Sequence, residues 1–245
     1  MKTMIKNTLI GSLLGISLMV TGACSKNNNS LNTDDKVSII DVSADGNTIL
    51  ATARLALAAS DNLSYSDTEL EMLLHMKEEE KLARDVYSAL SVKYKIPVFS
   101  NISRSENTHL NAVIWLLKNY GEEYTEVKEP GKFSNPDFQD LYDKLVAKGS
   151  ESLAEALKTG ALIEDLDIKD LMDYIGNVTN ENIIMVFENL TKGSRNHLRA
   201  FNRILVRMGI IYTPSYISQE EFDKIVSSPH EAGNIYYRGR CINGN

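Results

Sequence analysis

Glu106 and His109 lie three residues apart inside a segment whose apolar residues recur at helical spacing. Residues at this separation share one face of an α-helix, so a carboxylate and an imidazole point together into a packed interior. Leaving either group buried and unpaired costs on the order of several kcal/mol, and a metal ion is an economical partner for both. The alternative is a core histidine satisfied by hydrogen bonds. The choice depends on what the other helices place nearby.

The pattern of the whole chain predicts an all-α fold. Apolar residues alternate at spacings of three and four in several long segments, and no stretch of period-two alternation is long enough to predict a sheet. Pro97 is expected to end the first long helix, and Thr179 to cap the last one. The predicted helices begin and end near residues 66–96, 100–121, 136–148, 152–175, 180–208 and 218–226, and a further short helix is expected within 47–59.

Three other long helices also carry polar side chains in their apolar stripes. Glu80 stands where an apolar residue is expected; the alternative is a position at the edge of the stripe, or an ion pair with Arg84 one turn later. Glu164 is expected to be a metal ligand, whereas for Asp167 a ligand role and a solvent-facing position are equally weighted. His197 lies on the last stripe, where a hydrogen-bonded core histidine is the alternative. Surface positions are expected for His75, Glu78, Glu79, Lys81 and His230.

Residues 1–23 have the pattern of a targeting segment, with two lysines before an apolar stretch too short to span a bilayer. The small residues before Cys24 resemble a bacterial lipoprotein signal, which implies cleavage before Cys24 and a lipid on its sulfur. Thr21 departs from the usual Leu, and ordinary secretory cleavage near Ala23 is the alternative. A polar, Asn-rich tether follows. We therefore expect the chain to be anchored through Cys24 in the cell envelope, outside the cytoplasmic membrane.

Charge and cysteine usage exclude some classes of function. The formal net charge is −7, which argues against nucleic acid as a partner. The chain has 2 cysteines and no Cys-x-x-Cys pair, so it has no rubredoxin-type iron site. With Cys24 acylated, Cys241 has no partner within the chain for a structural disulfide.

Four motifs together resemble the rubrerythrin-like branch of the ferritin-like superfamily. In EKLARDVY (80–87), Ala and Tyr follow the glutamate by three and seven residues, as in that branch's first-helix motif. ISRSENTH (102–109) is similar to the second-helix motif, and GALIEDLD (160–167) to the paired-acid third helix. SRNH (194–197) stands where a second Glu-x-x-His is expected. As a set they resemble more closely a bacterial ferritin-like family of unknown function, DUF 2202, over roughly residues 63–225.

The resemblance implies a ferritin-like antiparallel four-helix bundle over residues 63–227, with a long crossover and short accessory helices. Residues 24–62 would form the polar tether and short helix, and 228–245 a tail. The implied metal ligands are Glu80, Glu106, His109, Glu164, Asp167 and His197. Iron as a di-iron pair is the expected cofactor, although zinc and manganese accept the same ligand types. Ser194 replaces the expected glutamate, so Asp167 or a water would complete the set, or the site is mononuclear.

Three functions fit these residues. The first is a di-iron oxidoreductase that reduces a small oxidant, peroxide or oxygen, with Tyr87 either hydrogen-bonded to a ligand or simply packed in the core. The second is non-enzymatic metal binding by an anchored lipoprotein. The third is an interaction module that has lost its metal, which Ser194 favours and the retained inward acids oppose. A homodimer is compatible with each of them.

Overall fold

The computed structural model describes residues 64–124 and 127–231, together with the backbone of residues 40–42 and 48–50. Within these residues the structure confirms the all-α class. The six helices of this part of the chain are α1 (Asp67–Tyr94), α2 (Pro97–Asn119), α3 (Pro136–Gly149), α4 (Leu153–Asn177), α5 (Glu181–Arg207) and α6 (Gln219–Ser227). None of the helices in the described ranges combines the length and the apolar character needed to cross a membrane.

The helix limits follow local capping chemistry. Ser66 and Glu69 form the capping box that starts α1. Lys95, with a φ of 52°, ends α1 in the left-handed conformation. Pro97 then occupies the first turn of α2, so this helix begins earlier than residue 100.

The cap of α5 differs from the sequence prediction. Asn180, and not Thr179, accepts hydrogen bonds from the first free backbone N–H groups of α5, those of Asn182 and Ile183. Thr179 serves another purpose, because its own backbone N–H and hydroxyl both donate to Glu69 Oε1 on α1. Glu69 therefore joins the starts of two long helices.

A short antiparallel hairpin precedes the helices. Its strands are β1 (Ile40–Val42) and β2 (Thr48–Leu50), with Ile40 opposite Leu50. The helix predicted within 47–59 is therefore wrong for residues 48–50, where the β-branched side chains of Thr48 and Ile49 favour a strand. Residues 51–59, the predicted signal segment with Cys24, and the end of the tail lie outside the described residues.

The four long helices pack as a ring. Helices α1 and α2 form one close pair and α4 and α5 another, while α1 contacts α4 and α2 contacts α5. Two apolar clusters fill the interior. Each long helix contributes to both: Tyr87, Phe99, Leu157 and Phe201 belong to the first cluster, and Met76, Val113, Leu171 and Val186 to the second.

The order of these clusters along each helix gives the helix directions. Helices α2 and α4 pass from the first cluster to the second, and so run the same way. Helices α1 and α5 pass from the second cluster to the first, and run the opposite way. The connection between the parallel helices α2 and α4 covers residues 120–152 and contains α3. Midway along the helices, between the two clusters, lies a layer of polar side chains.

Candidate metal centre

The polar layer draws one or two residues from each long helix. Each is buried because it lies on the inward stripe of its helix, at the level where the apolar clusters meet. The buried members are Glu80 on α1, Glu106 and His109 on α2, Glu164 on α4 and His197 on α5, with relative exposures of 2%, 2%, 0%, 1% and 1%. The structure thus brings together five of the six residues predicted as ligands.

Glu106 occupies the middle of this group. Its Oε2 lies 2.8 Å from Nδ1 of His109, and its Oε1 lies 2.9 Å from Nδ1 of His197. The two imidazole rings stack at a centroid distance of 5.4 Å and an interplanar angle of 24°. A single carboxylate therefore faces two imidazoles, one with each oxygen.

Each imidazole also faces a second carboxylate. Nδ1 of His109 lies 3.4 Å from Oε2 of Glu80, and Nδ1 of His197 lies 3.3 Å from Oε2 of Glu164. The centre consequently has two similar halves, each with one imidazole and one carboxylate. Glu106 is shared between them.

Several of these buried atoms make no hydrogen bond of good geometry, although some of them face one another at the short distances given above. They are Oε1 of Glu80, Oε1 of Glu106, Nδ1 of both histidines, and Nε2 of His109. Because a buried polar atom without a partner costs about 1–3 kcal/mol, a native core rarely concentrates so many. Ligand atoms of Glu106, His109 and His197 all lie within 4.8 Å of one another, so one or more cations would satisfy them. The donor set and its orphaned atoms fit a metal.

Two hydroxyl groups orient this cluster from outside. Tyr87 donates a hydrogen bond of 2.5 Å to Oε1 of Glu164, which leaves Oε2 facing His197. Ser105 Oγ lies 2.7 Å from Nε2 of His197, the nitrogen that points away from the carboxylates. Such contacts fix the tautomer and the rotamer of a ligand. Tyr87 was expected in one of two roles and takes the hydrogen-bonding one. Sequence reasoning missed Ser105, although it lies four residues before His109 and so on the same helical face.

Asp167 lies at the edge of the centre and is partly buried. Its Oδ2 accepts a hydrogen bond from the hydroxyl of Ser194, the residue that stands where a glutamate was expected. Ser194 is itself fully buried, and its Oγ also lies 3.0 Å from the carbonyl oxygen of Leu190. The carboxylate of Asp167 thus reaches the position that Ser194 leaves open.

The cluster is short of positive charge. Burial, with the charges of Asp167 and Glu106, raises the pKa of Glu80 well above its ordinary value. Burial and the charge of Glu106 raise the pKa of Glu164 to about 7. Burial would raise the pKa of Glu106 as well, but the two imidazoles outweigh it and lower that pKa. Burial lowers the pKa of His197, yet Glu106 and Glu164 raise it to about 10. The raised pKa values mean that protons on these groups reduce the repulsion between the carboxylates. A bound cation would take over this role and displace the protons.

Gly193 makes room for His109. A Cβ built at this position would lie 2.4 Å from both Cε1 and Nε2 of the imidazole. The backbone of α5 therefore passes directly against the ring, and any larger side chain would push against it. This contact accounts for a glycine in the interior of a long helix, where glycine is otherwise unfavourable by roughly 1 kcal/mol relative to alanine.

Two residues expected at the surface are buried. Glu79 is 7% and Lys81 6% exposed. The connection after α2 covers Lys81, whose Nζ donates to the carbonyl oxygen of Glu129, and the backbone N–H of Gly131 donates to the nearby Asp85. Glu79 lies on another side of α1, where it lines a cavity with residues of α3 and α4. Lys81 also pairs with Asp85 at 2.5 Å. Other segments of the chain thus cover faces of α1 that the helical pattern alone assigns to solvent.

The fold and the polar layer define a protein of the all-α class with a buried cluster of carboxylates and imidazoles between its four long helices. The chain belongs to the family described as "Uncharacterized protein domain (DUF2202)", which matches residues 69–229 and confirms the family predicted from the motifs. The match includes all of the predicted ligands.

A relative and a solved structure come from one archaeon. The chain is 53% identical over 169 residues to "Uncharacterized protein MJ0754" of Methanocaldococcus jannaschii, an alignment that covers 69% of this chain and 91% of the relative. It is also similar to the crystal structure of the hypothetical protein MJ0754 from Methanococcus jannaschii DSM 2661. That comparison has a TM-score of 0.69 at 51% identity and covers 71% of this chain and 99% of the other.

Proposed function

We propose that the protein is a ferritin-like metalloprotein whose buried centre binds two iron ions and reduces a small oxidant. The observation that carries the proposal is the position of Glu106. Its two oxygens face two imidazoles at 2.8 and 2.9 Å, and each imidazole has a carboxylate of its own. A carboxylate shared between two similar halves would suit two ions rather than one.

The path of the chain supports the ferritin-like assignment. Helices α2 and α4 run the same way and are joined by the long connection over residues 120–152, which is the one-crossover arrangement of ferritin-like folds. Glu106 and His109 supply one Glu-x-x-His pair. On α5 the equivalent pair is Ser194 and His197, with Asp167 bonded to the serine in place of the second glutamate.

The donor set is compatible with iron as the metal. Carboxylate oxygens and imidazole nitrogens accept iron, zinc and manganese, and the centre contains none of the thiolates that select softer ions. A pair of ferrous ions would supply the two electrons that, with two protons, reduce one molecule of hydrogen peroxide to two molecules of water. Burial excludes larger substrates, and Tyr87 remains protonated because burial raises its pKa well above the ordinary value. Its hydroxyl can therefore donate its hydrogen bond to Glu164 during the whole reaction.

Elemental analysis of the purified protein tests the metal centre. We expect about two irons per chain in the parent protein and less than half of that in Glu106→Gln, which keeps the side-chain shape but removes the shared charge. Glu71→Gln is the matched control, since it alters an exposed carboxylate on α1. Equal metal in all three proteins, or no metal in any, would refute the centre and favour an interaction module.

Peroxide consumption tests the oxidoreductase role separately. The reduced, iron-loaded parent protein should consume about one peroxide for each pair of irons, with a change in its visible absorption. Glu106→Gln should lose both signals. Iron that stays bound without any reaction with peroxide or oxygen would leave a non-enzymatic metal-binding role.

We also propose that the protein is a lipoprotein of the cell envelope, anchored through Cys24. The support is the pattern of residues 1–23 and the polar segment after them. Cells that express the full chain should incorporate labelled palmitate into the parent protein, and not into Cys24→Ser. Unlabelled parent protein with a free N-terminus near residue 24 would favour ordinary secretion.

A further inference from the structure

A second group of metal-binding side chains lies outside the buried centre. His75 and Glu79 are one turn apart on α1, with His75 Nδ1 3.4 Å from Glu79 Oε2. Asp170 approaches from α4, and one ligand atom from each of the three residues fits within 4.8 Å of the others. The side chain of His75 is 43% exposed, so this group opens to solvent, unlike the centre.

Glu79 carries an unsatisfied buried atom that points into this group. Its side chain is 8% exposed, and its Oε2, the oxygen nearest His75, has no hydrogen-bond partner. The hydroxyl of Tyr174 lies 2.9 Å from the imidazole Nδ1, and this contact holds the ring beside the carboxylates. Two carboxylates and an imidazole are ligands that divalent zinc, manganese, cobalt and iron accept.

The group also lies on a route toward the interior. Glu79 and Asp167 line the same cavity of about 40 Å³, whose other walls are mostly apolar. Asp167 is bonded to Ser194 inside the polar layer, and its charge acts on Glu80. Carboxylates therefore follow one another from the surface to the buried ligands, through a cavity large enough for about one water molecule or more.

We propose that His75, Glu79 and Asp170 form a second divalent-cation site, which binds ions at the surface and feeds them to the buried centre. The feeding role rests on the proposed metal centre; the existence of the outer site does not. The competing explanation is a plain ion pair between His75 and Glu79. An ion pair would leave Co²⁺ binding and its visible absorption band unaffected by changes at these residues.

Cobalt titration of the full chain in a Glu106→Gln background isolates the outer site. We expect about one Co²⁺ per chain with a visible ligand-field band, and at least about tenfold weaker binding once His75→Ala or Asp170→Asn is added. Asp173→Asn is the control, because Asp173 lies on the same helix but pairs with exposed Lys169. No Co²⁺ bound in the Glu106→Gln background, or equal binding in all variants, would overturn the site.

The rate of metal uptake tests the feeding role. With Glu106 intact and Co²⁺ limiting, His75→Ala and Asp170→Asn should fill the buried centre about tenfold more slowly than the parent protein, yet reach the same final content. Equal rates would overturn the feeding role. If the parent protein binds no more Co²⁺ than Glu106→Gln, both the feeding role and the proposed buried centre are overturned. The cobalt titration described above would still test the outer site.

Discussion

Substitution of Gly193 by alanine separates the geometry of the centre from the stability of the fold. The new Cβ would lie 2.4 Å from Cε1 and Nε2 of His109, whereas ordinary contacts begin at 3.4 Å. The fully buried ring or the α5 backbone must therefore shift by about 1 Å. Overpacking of this kind costs about 1–3 kcal/mol. Alanine recovers up to about 1 kcal/mol in a helix. The expected net loss of stability is about 0–2 kcal/mol.

The effect on metal binding should be larger than the effect on stability. A displaced imidazole loses its alignment with Glu106, so we expect Gly193→Ala to retain less than half of the metal of the parent protein. Elemental analysis and urea unfolding of the metal-free protein measure the two effects. Gly176→Ala is the matched control, because nothing lies within 4 Å of a Cβ at that helical glycine. It should keep its metal and gain up to about 1 kcal/mol.

A double substitution identifies the clash as the cause. In a His109→Ala background the ring is gone, so Gly193→Ala should then stabilise the metal-free protein rather than destabilise it. A coupling energy of about 1–3 kcal/mol between the two sites is expected. Full metal content in Gly193→Ala, or additive effects in the double variant, would refute the argument that a glycine is needed at residue 193 to make room for the His109 ring.

Three further predictions concern the surroundings of the centre. Tyr87→Phe removes the donor to Glu164 and should weaken metal binding about 10–100-fold in a chelator competition, while unchanged affinity would assign Tyr87 to packing alone. Because the pKa of Glu164 is raised to about 7, its proton competes with the metal at low pH, so affinity should be about tenfold lower at pH 6 than at pH 8. A pH-independent affinity would contradict this. Asp165→Asn should cost about 2–3 kcal/mol in urea unfolding and leave metal content unchanged, since Asp165 accepts hydrogen bonds from the backbone of Ser215 and Ile217.

The inward residues could be predicted because the spacing of apolar residues in each helix shows which face of that helix is buried. Glu80 and His197 interrupt stripes of apolar residues, and the helical period alone places them inside. The same reasoning placed Glu106 beside His109. What periodicity supplies is the direction of a side chain, and direction was sufficient here because the four long helices meet around one interior.

The errors arise where a distant segment covers a helix. The helical period places Lys81 in solvent, yet the connection after α2 lies over it. Glu79 is buried on another side of α1, against α3 and α4. Asp165, for which no position was predicted, is also fully buried by a distant segment. The segment between α5 and α6 returns to it and includes Tyr212, whose hydroxyl donates to its carboxylate. Such coverage depends on tertiary packing, and no single-helix pattern contains it.

The two halves of the centre have different origins in the chain. Glu80 and His109 come from the α1–α2 pair of helices, and Glu164 and His197 come from the α4–α5 pair. Neither pair contains a complete site. Glu106 reaches from one pair to the other, and Tyr87 and Ser105 add hydrogen-bonding contacts in the same direction. Bound ions would therefore link the two helix pairs to each other. Metal binding would require the two helix pairs to be packed against each other. Removal of the metal would weaken the contacts between the pairs before it weakened the contacts within either pair.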